Sequence, residues 1–288
     1  MILDIIFIRH AQSCANIWKP KSKIKQFTYK DPEITEDGIK TSARLSLILQ
    51  AKIKKLWNEA PYSVGASQML RAQETAYYMI AKDKPIHIIP HVAEAGITSD
   101  NIAFLKDKQR EIIKARNYKI LESLDKGIDS REKQTIYEKS NLKLFLKWAK
   151  NNPNSFAKGP DNIYRAVIFT HSHFLQNSFG LSKSDKIKNN NGIHAIINDN
   201  NTISKATRID IGNTINTGEP DKCRISPQRN KNKNTKINKN KNTNINKNTT
   251  RKISCKKFMN NDDLLMNYNQ HTYKEHLQDL ISYSQNST

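Results

Sequence analysis

Residues 2–10 read ILDIIFIRH. Apart from Asp4 the first seven are apolar and mostly Ile, with no polar alternation, and a charged pair ends the run. That length and composition suit a strand buried on both faces, the kind found in parallel sheets covered by helices. The run is too short to span a bilayer, and it has neither a basic leader nor a small-residue cleavage site. As the first strand of such a sheet it places Arg9 and His10 just beyond its carboxyl end, where open α/β sheets bind their ligands.

Outward from this strand the pattern repeats. Thr35 reads as an N-cap, Glu36 and Asp37 suit the positive end of a helix dipole, and Ile39, Ala43 and Leu47 recur every four residues. A helix over 36–57 follows. YSVGA (62–66) is a second strand, Ser67 is placed to cap the next helix, and Ala72, Ala76, Met79 and Ile80 give that helix one apolar face. IHII (86–89), stopped by Pro90, is a third strand, and helices are expected over 101–126 and 131–151. Leu142, Phe145, Leu146 and Ala149 stripe the second of these. AVIFT (166–170) is a fourth strand leading into a short helix from Ser172, and GIHAII (192–197) and TISKATRI (202–209) are two more, joined by a turn at Asp199-Asn200. Strands separated by helices predict an α/β fold: a three-layer sandwich on a mainly parallel sheet with helices on both faces.

The body is expected to end near residue 218. Of the net charge of +21 over 288 residues, thirteen Lys and Arg lie between Lys222 and Lys257 with no acid among them. The body is therefore only mildly basic. Residues 219–259, including NKNKNTKINKNKNTNINKN, read as a basic, Asn/Lys-rich disordered tail that cannot bury enough apolar surface to offset chain entropy. A candidate C-terminal helix lies in 260–288, with Leu264, Tyr268, Leu277 and Ile281 among its apolar residues. The tail either binds polyanions weakly or simply reflects an AT-rich coding bias. Cys14, Cys223 and Cys255 are too few and scattered for a disulfide framework. The expectation is a soluble, cytoplasmic protein with reduced thiols and no membrane partner.

Chemistry-bearing residues follow each strand in turn. Arg9 and His10 follow the first, Ser67 and Arg71 the second, Glu94 the third and His171 the fourth. Two arginines, two histidines and a carboxyl group on one edge suit phosphoryl transfer, in which charge spreads over three oxygens and catalysis is mostly positioning and neutralisation. Arginine offers a planar fork of donors, histidine attacks phosphorus when neutral, and a carboxyl group can protonate the leaving oxygen and then activate water. His173 forms an HxH pair with His171, but with no third ligand evident a histidine at a helix start is the favoured reading. Cys14, four residues from His10, is read as a small packing residue rather than a redox switch.

IFIRHAQSCAN (6–16) resembles the RHG(E)S..N signature of the histidine phosphatase (phosphoglycerate mutase-like) superfamily. ITEDGIKTSARL (34–45), ASQMLRAQETA (66–76), HVAEAG (91–96) and VIFTHSHF (167–174) resemble four further segments of that family, in its order, so the resemblance covers about residues 1–210. It implies that 1–218 is a catalytic domain, with His10 as phosphoryl acceptor and Arg9, Arg71 and His171 cradling the phosphate. It also places Ser13 and Asn16 where the family binds phosphate and makes Glu94 the acid/base, with no metal and no cofactor. Ala11 stands where the family has Gly and Gln12 where it has Glu. Ser172 follows the second histidine, where the acid phosphatase and phytase branch has Asp. The implied reaction is hydrolysis of a phosphorylated small molecule or phosphoprotein. Alternatives are a mutase, whose substrate-clamping segment AGITSDNIAFLKDK (95–108) does not resemble, and an inactive phosphate- or polyanion-binding protein.

Overall fold

The structure is a computed structural model that describes residues 1–18, 29–94, 99–131, 140–182 and 184–212. These belong to the first of two units, Met1–Asn234. The tail and the candidate helix of 260–288 lie outside the described residues.

The chain opens on β1 (Ile2–Arg9) and a short α1 (Cys14–Trp18), then α2 (Glu36–Trp57), β2 (Ser63–Ala66) and α3 (Leu70–Ala76), which runs into a π turn over Tyr77–Ala81. β3 (Ile86–Ile88), α4 (Lys106–Arg116), α5 (Tyr118–Asp125), α6 (Leu142–Asn151) and β4 (Ala157–Lys158) follow, then β5 (Ile163–Thr170), α7 (Ser172–Phe179), β6 (Gly192–Ile197) and β7 (Ile203–Ile209). The seven strands form one sheet in the order β3-β2-β5-β1-β6-β7, with β4 paired to β5. β3, β2, β5 and β1 run parallel, whereas β6 is antiparallel to β1 and β7.

Alternation along β1 explains why both faces are covered. Ile6 and Ile8 pack with Leu45, Leu49 and Ile53 of α2, Leu70 and Ala72 of α3, and Ile112 and Ile120 of α4 and α5. Leu3, Ile5 and Phe7 point the other way, into Phe145 and Leu146 of α6 and Phe174 and Leu175 of α7. A period of two on a mostly apolar strand thus feeds two cores, and the three-layer sandwich is the observed architecture.

Helix starts hold the main differences from expectation. Thr35 caps α2 as expected, accepting from Gly38 N. Ser67 does not cap α3. That helix starts at Leu70, whose N–H donates to Asp31 Oδ1, 2.9 Å away. Asp31 also accepts from Phe104 N and Gln109 Nε2, so one buried carboxylate ties the start of α3 to the α4 segment. The helix expected over 101–126 begins only at Lys106 and divides at Asn117, which is extended (φ −158°, ψ 102°) and caps α5 by accepting from Lys119 N. The helix expected over 131–151 is observed from Leu142, capped by Asn141, and 132–139 lie outside the described residues.

Candidate active site

His10 stands one residue past β1, between the ends of β5 and α3. Its backbone N–H donates to Thr170 O, and Asn189 Nδ2 donates to its carbonyl. The ring is buried, and Nδ1 lies 2.7 Å from the Ala11 carbonyl. A carbonyl oxygen only accepts, so the proton sits on Nδ1 and Nε2 carries the lone pair. Arg71 Nε donates to that lone pair at 3.3 Å. Burial first, then the charges of Arg71 and Arg9, hold His10 well below the usual histidine pKa. The ring is therefore neutral at neutral pH, the form that attacks phosphorus. Ala11 does not have a positive φ, so its methyl group sits beside His10 without backbone strain.

His171 lies across from it, with ring centroids 5.0 Å apart. Ser67 Oγ is 2.6 Å from His171 Nε2, which is the work Ser67 does in place of capping α3. Burial and the charge of Arg71 hold His171 neutral as well. The Ser67 hydroxyl is able to donate to Nε2, which would put the ring proton on Nδ1, a buried atom with no hydrogen-bond partner among the described residues. Arg9 is anchored by Nη1 to Ile187 O at 2.8 Å, while its buried Nε has no partner among the described residues. Burial, with the Arg71 charge, brings the Arg9 guanidinium down to about 10, partly opposed by Glu94, so it remains charged. Unsatisfied buried donors in a native fold call for an explanation, and a phosphoryl group would satisfy both.

Arg71 is buried, and its Nη1 and Nη2 donate to Asp100 O at 2.6 Å and Asn101 Oδ1 at 3.3 Å. Together with Nε these use three of its five N–H groups among the described residues. Ser13 and Asn16 sit beside the site but bond each other: Asn16 Oδ1 accepts from Ser13 N, Ser13 Oγ and Asn189 Nδ2. That fixes the amide and leaves Asn16 Nδ2 to donate elsewhere. Glu94 is buried behind His171, with Oε2 3.8 Å from His171 Nδ1 and Oε1 2.7 Å from His173 Nδ1. Burial pushes its carboxyl up, but the bond to His173, then the charges of His173, Arg71 and Arg9, outweigh this and hold it below the ordinary value.

All seven residues expected from sequence thus gather at one end of the sheet. Sequence reasoning missed Ser67's bond to His171, Asn189 under His10, the Asp100–Asn101 turn on Arg71, and His173. Ser67 carried a signal in its place directly after a strand, and His173 one in its HxH pairing with His171, which was read as a histidine at a helix start.

His10, Glu94 and His171 could each offer one ligand atom to a metal, the three atoms lying within 4.8 Å of one another. Electrostatics argue against that use. Two unit charges about 4 Å apart repel by on the order of 4 kcal/mol at an effective dielectric constant of 20, and a divalent cation here would face both Arg9 and Arg71. The same field favours a phosphate dianion. The residues suit an anion.

No family model matches the chain, and no curated protein does. Solved structures that match include a phosphoserine phosphatase from Entamoeba histolytica in complex with 3-phosphoglyceric acid: 18% identity, TM-score 0.41, covering 73% of this chain and 98% of that one. A phosphoglycerate mutase from Bacillus anthracis matches at 13% identity and TM-score 0.43, covering 73% and 94%. An alpha-ribazole phosphatase from Shigella flexneri matches at 17% identity and TM-score 0.38, covering 73% and 100%. At these values the comparison adds no residue to the site, which stands on its own geometry.

Proposed function

We propose that the chain is a metal-independent phosphomonoester hydrolase that works through a phosphohistidine on His10. The observation that carries this is the orientation of the His10 ring. Its Nδ1 proton is spent on Ala11 O, and its Nε2 lone pair faces Arg71. A nucleophile with its tautomer fixed, beside two guanidinium groups and a second histidine, is what in-line attack on phosphorus requires.

In the first step Nε2 forms a bond to phosphorus, the P–O bond to the alcohol breaks, and the leaving oxygen takes a proton from Glu94. In the second, water attacks phosphorus as Glu94 takes its proton, the N–P bond breaks, and inorganic phosphate leaves with His10 neutral again. Glu94 is held ionised in the free site, so it must gain its proton in the complex. An entering phosphate dianion offsets the charges of Arg9 and Arg71, and this raises the Glu94 pKa as the substrate binds. The resemblance of the five sequence segments to the histidine phosphatase superfamily supports the same reading.

The test is turnover of p-nitrophenyl phosphate in excess chelator. Activity should persist there, and His10→Ala should remove it, since losing the nucleophile leaves only binding and charge stabilisation. A strict requirement for a divalent cation would refute the proposal.

A further inference from the structure

We propose that His173 is a positioning residue for Glu94: it pins one carboxylate oxygen so that the other faces the transferring group. This rests on the phosphatase reading above and adds a residue to it. His173 is the second residue of α7, and it reaches Glu94 twice. Its backbone N–H donates to Oε1 at 3.0 Å and its ring Nδ1 lies 2.7 Å from the same oxygen. His171, the N-cap of α7, gives that helix no side-chain cap, so Glu94 serves as a carboxylate cap from 79 residues away in sequence. Oε2 is left 3.8 Å from the unpartnered His171 Nδ1. The two oxygens thus have different tasks. Oε1 is spent on α7 and the His173 ring, and Oε2 is the one able to exchange a proton at the reaction centre.

The remainder of the surroundings fits this division. Among the described residues, the groups acting on Glu94 are Arg9 at the end of β1, Arg71 in α3, and His173 in α7, beside the two buried histidines. Of these His173 is the one open to solvent, its side chain 47% exposed, while Arg9 and Arg71 are buried. It lowers the Glu94 pKa through both its hydrogen bond and its charge. Loss of the ring should therefore raise that pKa as well as loosen the carboxylate. A cap alone would do neither, because the backbone N–H remains in any variant.

The experiment compares His173→Ala and His173→Asn with the intact chain on two substrates, an alkyl phosphomonoester and p-nitrophenyl phosphate. The asparagine amide N–H stands close to where the ring Nδ1 was and does not titrate. General acid catalysis contributes most where the leaving oxygen is basic. His173→Ala should lower kcat on the alkyl ester by about tenfold and on the aryl ester by less than about threefold, with Asn recovering most of the loss. The alkaline limb of kcat on the alkyl ester, which reports the complex in which Glu94 carries its proton, should move to higher pH in His173→Ala. Equal losses on both substrates, or an unmoved limb, would overturn the positioning role. Failure of the intact chain to hydrolyse either ester would instead count against the phosphatase reading, so the two failures are separable.

Discussion

At the scale of single residues the site is defined by histidines kept neutral by burial and by cations. Both His10 and His171 sit well below the usual histidine value. In the unfolded chain each binds a proton near pH 6.5. The folded state binds them only further down, so unfolding takes up protons in that interval. The stability these two sites allow is present above pH 6.5 and is lost as pH falls from there towards their lower folded values. Each contributes a slope approaching 1.4 kcal/mol per pH unit, or about 3 together. Asp129, which burial would push up but Arg131 and Lys106 hold at about 2, titrates in a separate, lower window. Urea unfolding between pH 7 and 5 should show the loss, and His10→Gln with His171→Gln should flatten it. Parallel slopes in both proteins would mean the rings are already protonated when folded. Inorganic phosphate should also oppose the loss, by binding the native state alone.

At the scale of elements, what could be read in advance follows from how local each cause is. α2 was legible because Thr35, the acidic first turn and the four-residue apolar spacing all lie within the helix or beside it. β1 was legible because both its faces are buried, so no alternation interrupts the run. The division at Asn117 was not, because a polar residue between amphipathic turns reads alike whether it continues a helix or caps a new one. The true start of α3 was hidden for a different reason: its donor is satisfied by Asp31, 39 residues earlier. The candidate site divides in the same way. His10, Arg71 and His171 were legible because strand ends point to them. His173 and Asn189 act through partners 79 and 179 residues away, and a single sequence carries no signal for such pairs. Glu94 lay between these cases, placed after a short strand but bonded to α7 far along the chain.

At the scale of the whole molecule, catalytic and tail charge are separate quantities in the account. Every residue given a role at the site lies at or before Asn189, while thirteen positive charges lie between Lys222 and Lys257. We propose that the tail binds polyanions weakly, through counterion release, without touching the chemistry. Truncation after Gly218 should then leave turnover of a small phosphomonoester within about threefold and abolish retention on heparin at low salt, consistent with the steep salt dependence of such binding. A soluble, folded truncation without activity would show that the tail serves the site. Among the described residues no helix is long and apolar enough to cross a membrane. The central claim is covalent, and one measurement addresses it. The intact chain is mixed with an alkyl phosphomonoester, quenched within milliseconds at alkaline pH, and its peptides are weighed. The expected product is a phosphoryl group on His10 Nε2, stable to base, lost in acid, and missing from His10→Ala. Steady turnover with no phosphoryl group on His10, or with one on another residue, would contradict it.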